Sequence, residues 1–536
     1  MRIGMMQRGT PVGPVLLALA AAFALLLALP GQTVATKYLN DLFVLLDGAY
    51  RVAGGQVPNR DFHTILGPLA AYVPAIGYGL SGTWGGAMPA GMALMTVALA
   101  LPIAHVLGSR LRPAIALPFG VFLLLILAVP ILLGESITAL SFAKFYNRIG
   151  WAALGALLVM YLRPERVHAR QNLLDVLCAA SLTLVMLYTK LTYGVVALAF
   201  LAFMLLDSRQ RRWAAGALGL TLVAGLAIEA FWQSSLAHLA DLRLALDVGG
   251  RLRGTWGQIT DHILGNMTDY VLVGLFAGLA LRITRGFRDA IFYGFCAVTG
   301  FLIINQNFQA WGIVTLHAAA AVAAETILRH EEGRALDPGE RRWSVSAGAK
   351  LLFLALVLPT IVHCTAALGL HTVAAATRAG EAVALPRLGE VRLANLWTWS
   401  EYDMGAAYVA TLRDGAEALS GLDRTPNGIV ALDLANPFSM ILNAPPPAGD
   451  APWLQWDRTL NASSFIPAET LLARAEIVME PKPAPGGDPA KPQLPSLYGP
   501  YIAANFSLVR ETQHWKIHRR SQPSDPQATL SGGNPS

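Results

Sequence analysis

The chain is 536 residues long, with 54% hydrophobic and only 14% charged residues, where an ordinary soluble protein carries about 25% charged. Its formal net charge is +6, but the basic residues are spread over short loops instead of forming one patch, which excludes a nucleic-acid-binding surface. Its three cysteines, Cys178, Cys296 and Cys364, all lie in apolar segments, so neither a disulfide framework nor a Cys/His metal spacing is present.

Apolar runs recur from Val15 to Leu370, too many for one water-soluble core. A bilayer accommodates them because each helix satisfies its own backbone hydrogen bonds. Arg2 and Arg8 precede the first run as in a signal peptide. That run continues through Leu29 and leads into further runs, so it reads as a retained first helix. Spans of about 20 residues fall near 13–33, 86–107, 113–134, 146–162, 173–189, 191–206, 214–232, 264–281, 289–305, 309–328 and 349–370. The expected fold is a polytopic α-helical membrane protein of about eleven transmembrane helices over 1–370, with a C-terminal soluble α/β domain over 371–520 and a disordered tail over 521–536.

Alternate loops are basic: Arg110 and Arg112; Arg163, Arg166 and Arg170; Arg209, Arg211 and Arg212; Arg282, Arg285 and Arg288; then Arg329, Arg334, Arg341 and Arg342. The positive-inside rule places these loops and the N-terminus in the cytoplasm, and everything after Leu370 outside. Residues 67–82 are apolar, but a crossing there would invert every later loop. The segment is short and broken by Pro68, Pro74 and four glycines, so an interfacial or re-entrant helix on the outer face is expected.

The first outer loop, 33–85, holds the densest polar investment. Leu39, Leu42, Phe43, Leu46, Tyr50 and Val52 form an amphipathic stripe suited to a membrane surface. Asp41 stands at its start, and Asp61 follows the turn made by Gly54, Gly55 and Pro58. Two carboxylates there suit a division between a general base and a metal or substrate contact. The simpler account is a helix cap for Asp41 and a loop cap for Asp61. No cofactor motif is present, and the carboxylates are compatible with a divalent metal without indicating one.

Further along, Tyr146 and Arg148 lie in FYNRIGW, and Lys190 and Tyr193 in YTKLTYG, both on the outer side. Arg148 is a candidate phosphate partner because a guanidinium forks onto phosphate oxygens; its plainer role is an interface anchor beside Trp151. A lysine between two apolar runs is expensive unless it meets a partner or snorkels. Asn305 and Gln306, with Asn307 and Gln309, form an outer polar cluster that suits either a sugar or loop capping. Glu229, His238, Asp241 and Arg243 are secondary candidates near the second long outer loop, and His317 and His363 read as packing residues. The C-terminal part shows strand patterns at 429–434 and 476–479, a closing hairpin at 505–509 and 515–518, and helical patterns at 404–419 and 468–475.

The acidic residue beyond the first span, the amphipathic helix, then G-x-V-P-x-R-D-F and Gly67-Pro68-Leu69 resemble the GT-C superfamily of membrane glycosyltransferases. The likeness is to the protein O-mannosyltransferase and lipid A aminoarabinose transferase branch. The ending F-x-x-V-x-E-T-x-x-W-x-I-x-R-R is similar too. The resemblance implies a bacterial inner-membrane enzyme moving a sugar from an undecaprenyl-phosphate donor to a glycan, lipid or protein acceptor on the periplasmic face. It implies Asp41 as the catalytic aspartate, Asp61 as a second acidic position and Lys190 as a contact to the lipid phosphate. Asn40-Asp41 departs from the commoner Asp-Glu pair. A transporter or flippase for lipid-linked glycans, or a non-enzymatic scaffold, are the alternatives; a transporter expects mid-depth charges and internal repeats, which these spans lack apart from Glu229 and the histidines.

Overall fold

The computed structural model describes residues 11–167, 169–250, 256–307, 309, 312–333, 345–482 and 493–521. Arg2, Arg8, Arg334, Arg341, Arg342 and the tail from 522 lie outside the described residues. A helix stands at each expected span. The chain opens with α1 (Val12–Ala28), then the two first-loop helices α2 (Leu39–Ala53) and α3 (Leu69–Ser81). The bundle continues through α4 (Trp84–Arg110), α5 (Pro113–Ala128), α6 (Phe145–Val159), α7 (Gln171–Thr189), α8 (Leu191–Met204) and α9 (Arg211–Trp232). Two shorter helices, α10 (Ser235–Ala245) and α11 (Trp256–Gly265), precede α12 (Met267–Thr284), α13 (Phe287–Asn307), α14 (Val314–Gly333) and α15 (Val345–Ala376). By length and composition α4, α7, α9, α12, α13 and α15 are able to cross a membrane; α1, α3, α5 and α8 are apolar but shorter.

Local chemistry sets the boundaries. Thr83 caps α4 by accepting from the Gly86 amide at 3.1 Å, and Pro113 opens α5 at a position that needs no amide donor. The basic loops gather at one end of the bundle, where acidic partners meet them. Arg112 pairs with Glu325 at 2.5 Å and Glu332 at 2.7 Å, Arg329 with Glu325 at 3.1 Å, and Arg288 with Asp207 at 2.5 Å. The opposite end carries α2, α3 and the C-terminal domain.

Helix α3 does not run between the two ends. Its start meets the C-terminal end of α7 through Gly67, whose amide donates to the Thr189 carbonyl at 3.2 Å. Its end turns back through Gly82, at φ +73°, into α4. The two helices touch backbone to backbone: a Cβ on Gly77 would lie 1.9 Å from the Ala87 oxygen, and one on Gly91 2.5 Å from the Val73 oxygen.

Beyond α15 the chain forms two small sheets. Strand β1 (Thr33–Ala35), in the first outer loop, pairs in parallel with β3 (Val391–Leu393), which also pairs antiparallel with β2 (Glu381–Ala382). The second sheet holds β4 (Ile429–Ala431), β5 (Ile477–Pro481), β6 (Phe506–Glu511) and β7 (Trp515–Arg520) in the order β4-β5-β7-β6. Helices α16 (Trp399–Ser420), α17 (Phe438–Ile441), α18 (Ala468–Leu471) and α19 (Gln493–Asn505) surround it. The strand and helix patterns expected at 404–419, 429–434, 476–479 and 515–518 all have counterparts here, while the helix expected at 468–475 is a single turn. One apolar core runs from Val12 in the bundle to Ile517 in the last strand, so the domain's first layer packs directly on the bundle.

Candidate active site

The site lies between the first-loop helices and the C-terminal domain. Tyr38 precedes α2 in the left-handed backbone region, at φ 55°, a conformation costly for a residue with a Cβ. Its hydroxyl donates to Glu135 at 2.7 Å, and Lys37 pairs with the same carboxylate at 3.1 Å. From that start, α2 buries Leu42, Phe43 and Leu46 and turns Asp41 into a cavity of about 290 Å³ lined also by Tyr38, Asn40, Lys144, Trp453 and Arg458. Among the described residues, the Asp41 carboxylate has no hydrogen-bond donor or ion pair within reach. Burial pushes its pKa up, and the nearby Lys144 and Arg458 pull it back in part.

A second cavity, of about 320 Å³, adjoins the first; Leu66, Tyr146, Trp453, Gln455 and Arg458 line both. Its own wall includes Lys190, Thr192, Asn305, Gln306 and Asp457. Lys190 donates to Asn147 at 3.3 Å and stands 5.5 Å from the centre of the Tyr146 ring. Burial, with Arg458 and Lys144 close by, lowers its pKa to about 7. Lys144 is held below the usual lysine range by burial and by Arg458. Three cations, Lys144, Lys190 and Arg458, thus line the joint cavity beside two carboxylates, Asp41 and Asp457, an excess of positive charge that favours an anionic group.

Of the residues expected from sequence, Asp41, Tyr146, Lys190, Asn305 and Gln306 come together here; Gln306 also accepts from Thr192 at 2.8 Å. Three do not. The Asp61 carboxylate accepts from the Val57 amide at 2.7 Å and pairs with Arg60 at 2.9 Å, closing its own turn. It lines neither cavity, so its geometry is that of the loop cap. Arg148, one turn into α6, is buried and donates to the Ile131 carbonyl at 2.5 Å. Tyr193 is buried, packs edge-on against Trp151 and lines neither cavity. Glu229 accepts from Ser235 at the start of α10, and Asp241 takes His63 at 2.7 Å and Asn59 at 2.8 Å, fastening that loop to the first. His317 donates to the Ile313 carbonyl just ahead of α14 at 3.0 Å, and His363 donates to the Glu135 carbonyl at 3.0 Å.

Lys144, Arg458, Trp453, Gln455 and Tyr38 escaped the sequence reading. Lys144 had a visible signal, a cation four residues before Arg148 between apolar stretches. The three C-terminal residues sit in a loop without a motif.

Behind the site lies a fully buried ion triad. Arg51 donates to Asp47 at 2.9 Å and grips Asp450 with two nitrogens, at 2.6 and 2.9 Å. Both carboxyl groups are raised by burial, Asp47 to about 6, while Arg51 is held firmly charged by its two partners against that same burial. The paired oxygens and nitrogens bolt the C-terminal loop 447–450 to α2. Among the described residues, no cluster of three or more His, Cys, Asp or Glu suits a metal ion.

No family model matches the chain, and neither does any curated protein. Among solved structures, it is similar to ArnT from Cupriavidus metallidurans bound to undecaprenyl phosphate, at 15% identity and a TM-score of 0.49, over 94% of this chain and 97% of that one. The apo form of ArnT gives 14% and 0.48 over the same shares. An Archaeoglobus fulgidus oligosaccharyltransferase, solved with zinc and sulfate, gives 13% and 0.38 over 87% of this chain and 68% of that one.

Proposed function

We propose that the protein is a GT-C-type membrane glycosyltransferase that takes a sugar from a polyprenyl-phosphate donor and passes it to an acceptor hydroxyl or amine at the outer face of a bacterial inner membrane. The observation that carries this reading is the pairing of an open, partly desolvated Asp41 with a cavity walled by Lys144, Lys190 and Arg458. Asp41 takes the proton from the acceptor as its oxygen or nitrogen attacks the anomeric carbon. The bond from that carbon to the donor phosphate breaks, and the phosphate leaves with the electron pair. Lys190 and Arg458 hold that charge where it develops, with Lys144 between them and Asp41. Asn305, Gln306 and Tyr146 line the volume left for the sugar, and the sidedness expected from the basic loops would hold it at the outer surface.

The test is transfer from lipid-linked sugar donors by the purified, reconstituted protein. Asp41→Asn is expected to slow transfer about 10²–10⁴-fold, with Asp61→Asn close to the parent rate. An Asp41→Asn variant that transfers at the parent rate overturns the reading.

A further inference from the structure

At the head of α16 the C-terminal domain exposes Trp397 at 80%, Trp399 at 70% and Met404 at 59% of their surface. We infer that this turn is a membrane-dipping lip, seated among the lipid headgroups of the outer leaflet instead of standing clear in water. Three observations set its depth. Strand β1 leaves the end of α1 and heads back toward the α5–α6 connection, where the Thr36 amide and hydroxyl bond to Leu140 and Thr138. Strand β3 pairs with β1 in parallel, Thr33 opposite Val391 and Ala35 opposite Leu393, so it runs the same way and delivers Trp397 to that level. There Glu401 pairs with Lys37 at 3.4 Å, Lys37 with Glu135 at 3.1 Å, and the Glu135 carbonyl meets His363 at 3.0 Å.

His363 lies thirteen residues before the end of α15 at Ala376, about 20 Å at the helical rise. The tops of α1 and α15 meet well above it, where the Thr372 hydroxyl donates to the Leu26 carbonyl at 3.0 Å. The tryptophans therefore flank the upper part of two helices whose outward residues, Leu25, Val362 and Val373, are themselves exposed and read as lipid-facing. Tryptophan favours the headgroup layer because one end of its ring system is apolar and the other polar. Asp403 on the same turn is exposed and limits the depth to that layer, while Glu401 is neutralised by Lys37. The occupant is thus the bilayer continuous with the bundle.

The experiment uses the full chain in phosphatidylethanolamine–phosphatidylglycerol vesicles. Single cysteines replacing Trp397 or Trp399, with the native cysteines changed to alanine, carry an environment-sensitive fluorophore. Both labels are expected to lose fluorescence to a nitroxide placed near the lipid headgroup and to resist aqueous iodide. A label at exposed Ser463 is expected to behave the opposite way, and one at lipid-facing Leu226 to match the lip. Quenching of both lip labels by iodide to the Ser463 level overturns the proposal. Shielding from iodide without quenching by the lipid nitroxide points to a protein partner and overturns it too. If the substituted chains fail to fold, the unmodified protein decides: a lipid with a headgroup-proximal diazirine is expected to label the tryptic peptide 393–413, and its labelling only α1 and α15 peptides overturns the inference.

Discussion

Lys190 is a cation held in a place that disfavours cations. Burial and two like-charged neighbours bring its pKa to about 7, so the free protein loses its charge as pH rises through neutrality. Asp41 is raised by burial, and its charged form, the one a base needs, is lost as pH falls through a value above the ordinary carboxylate range. The pH profile of kcat/KM is therefore expected to be bell-shaped, with an alkaline limb near 7 arising from weaker donor capture. In kcat the alkaline limb moves to higher pH, because bound phosphate restores the lysine's charge. Lys190→Arg, whose charge does not titrate in this range, removes the limb; a profile flat from pH 6 to 9 in the parent protein rules this assignment out. Asp41 and Lys190 were legible in the sequence because a charge beside apolar runs stands out. The same rule picked Arg148 over Lys144. Helix α6 begins at Phe145, so Lys144 stays at its mouth while Arg148, one turn further, is carried into the bundle. That one-residue boundary is what pattern reading could not resolve.

At the scale of elements, the Gly67-Pro68-Leu69 motif acquires a steric reason. A Cβ on Gly67 would lie 2.2 Å from the Tyr188 carbonyl oxygen and 2.5 Å from its carbon, in backbone that has nowhere to go. The start of α3 is thereby pressed against the last turn of α7, immediately before Lys190. Gly67→Ala is expected to cost about 1–3 kcal/mol by thermal melting and to raise the KM for donor. Gly79→Ala in the same helix, where a Cβ meets nothing within 4 Å, is the control expected to leave both unchanged. The long helices were legible from hydropathy, and α3 as a short, separate helix from its prolines and glycines. The pairing of β1 with β3 was not, because three-residue strands carry no period to read.

On the scale of the whole molecule, the site belongs to neither part alone. Asp41 and the lysines come from the bundle and its first loop, whereas Trp453, Gln455 and Arg458 come from the C-terminal domain. Asp450→Ala leaves buried Arg51 with Asp47 as its one carboxylate partner beside the Pro447 carbonyl, and breaking such a buried pair costs about 3–5 kcal/mol. The expected readout is a lowered melting temperature together with faster proteolysis of the domain and weaker donor binding. Asp61→Ala, at an exposed turn, is expected to cost about 1 kcal/mol or less.

The Arg51–Asp450 bolt also constrains how the protein is made. Its partners lie 399 residues apart, and β1 waits almost as long for β3, Thr33 pairing with Val391. At about 5–20 residues per second, tens of seconds of synthesis separate the emergence of the arginine from that of its carboxylate partner. Through that interval the first loop must persist without its closing sheet and with a half-paired cation. The candidate site is thus completed only once the segment from Asp450 to Arg458 has been made, and a molecule stalled or cut short before Asp450 carries Lys144 and Lys190 yet lacks Trp453, Gln455 and Arg458.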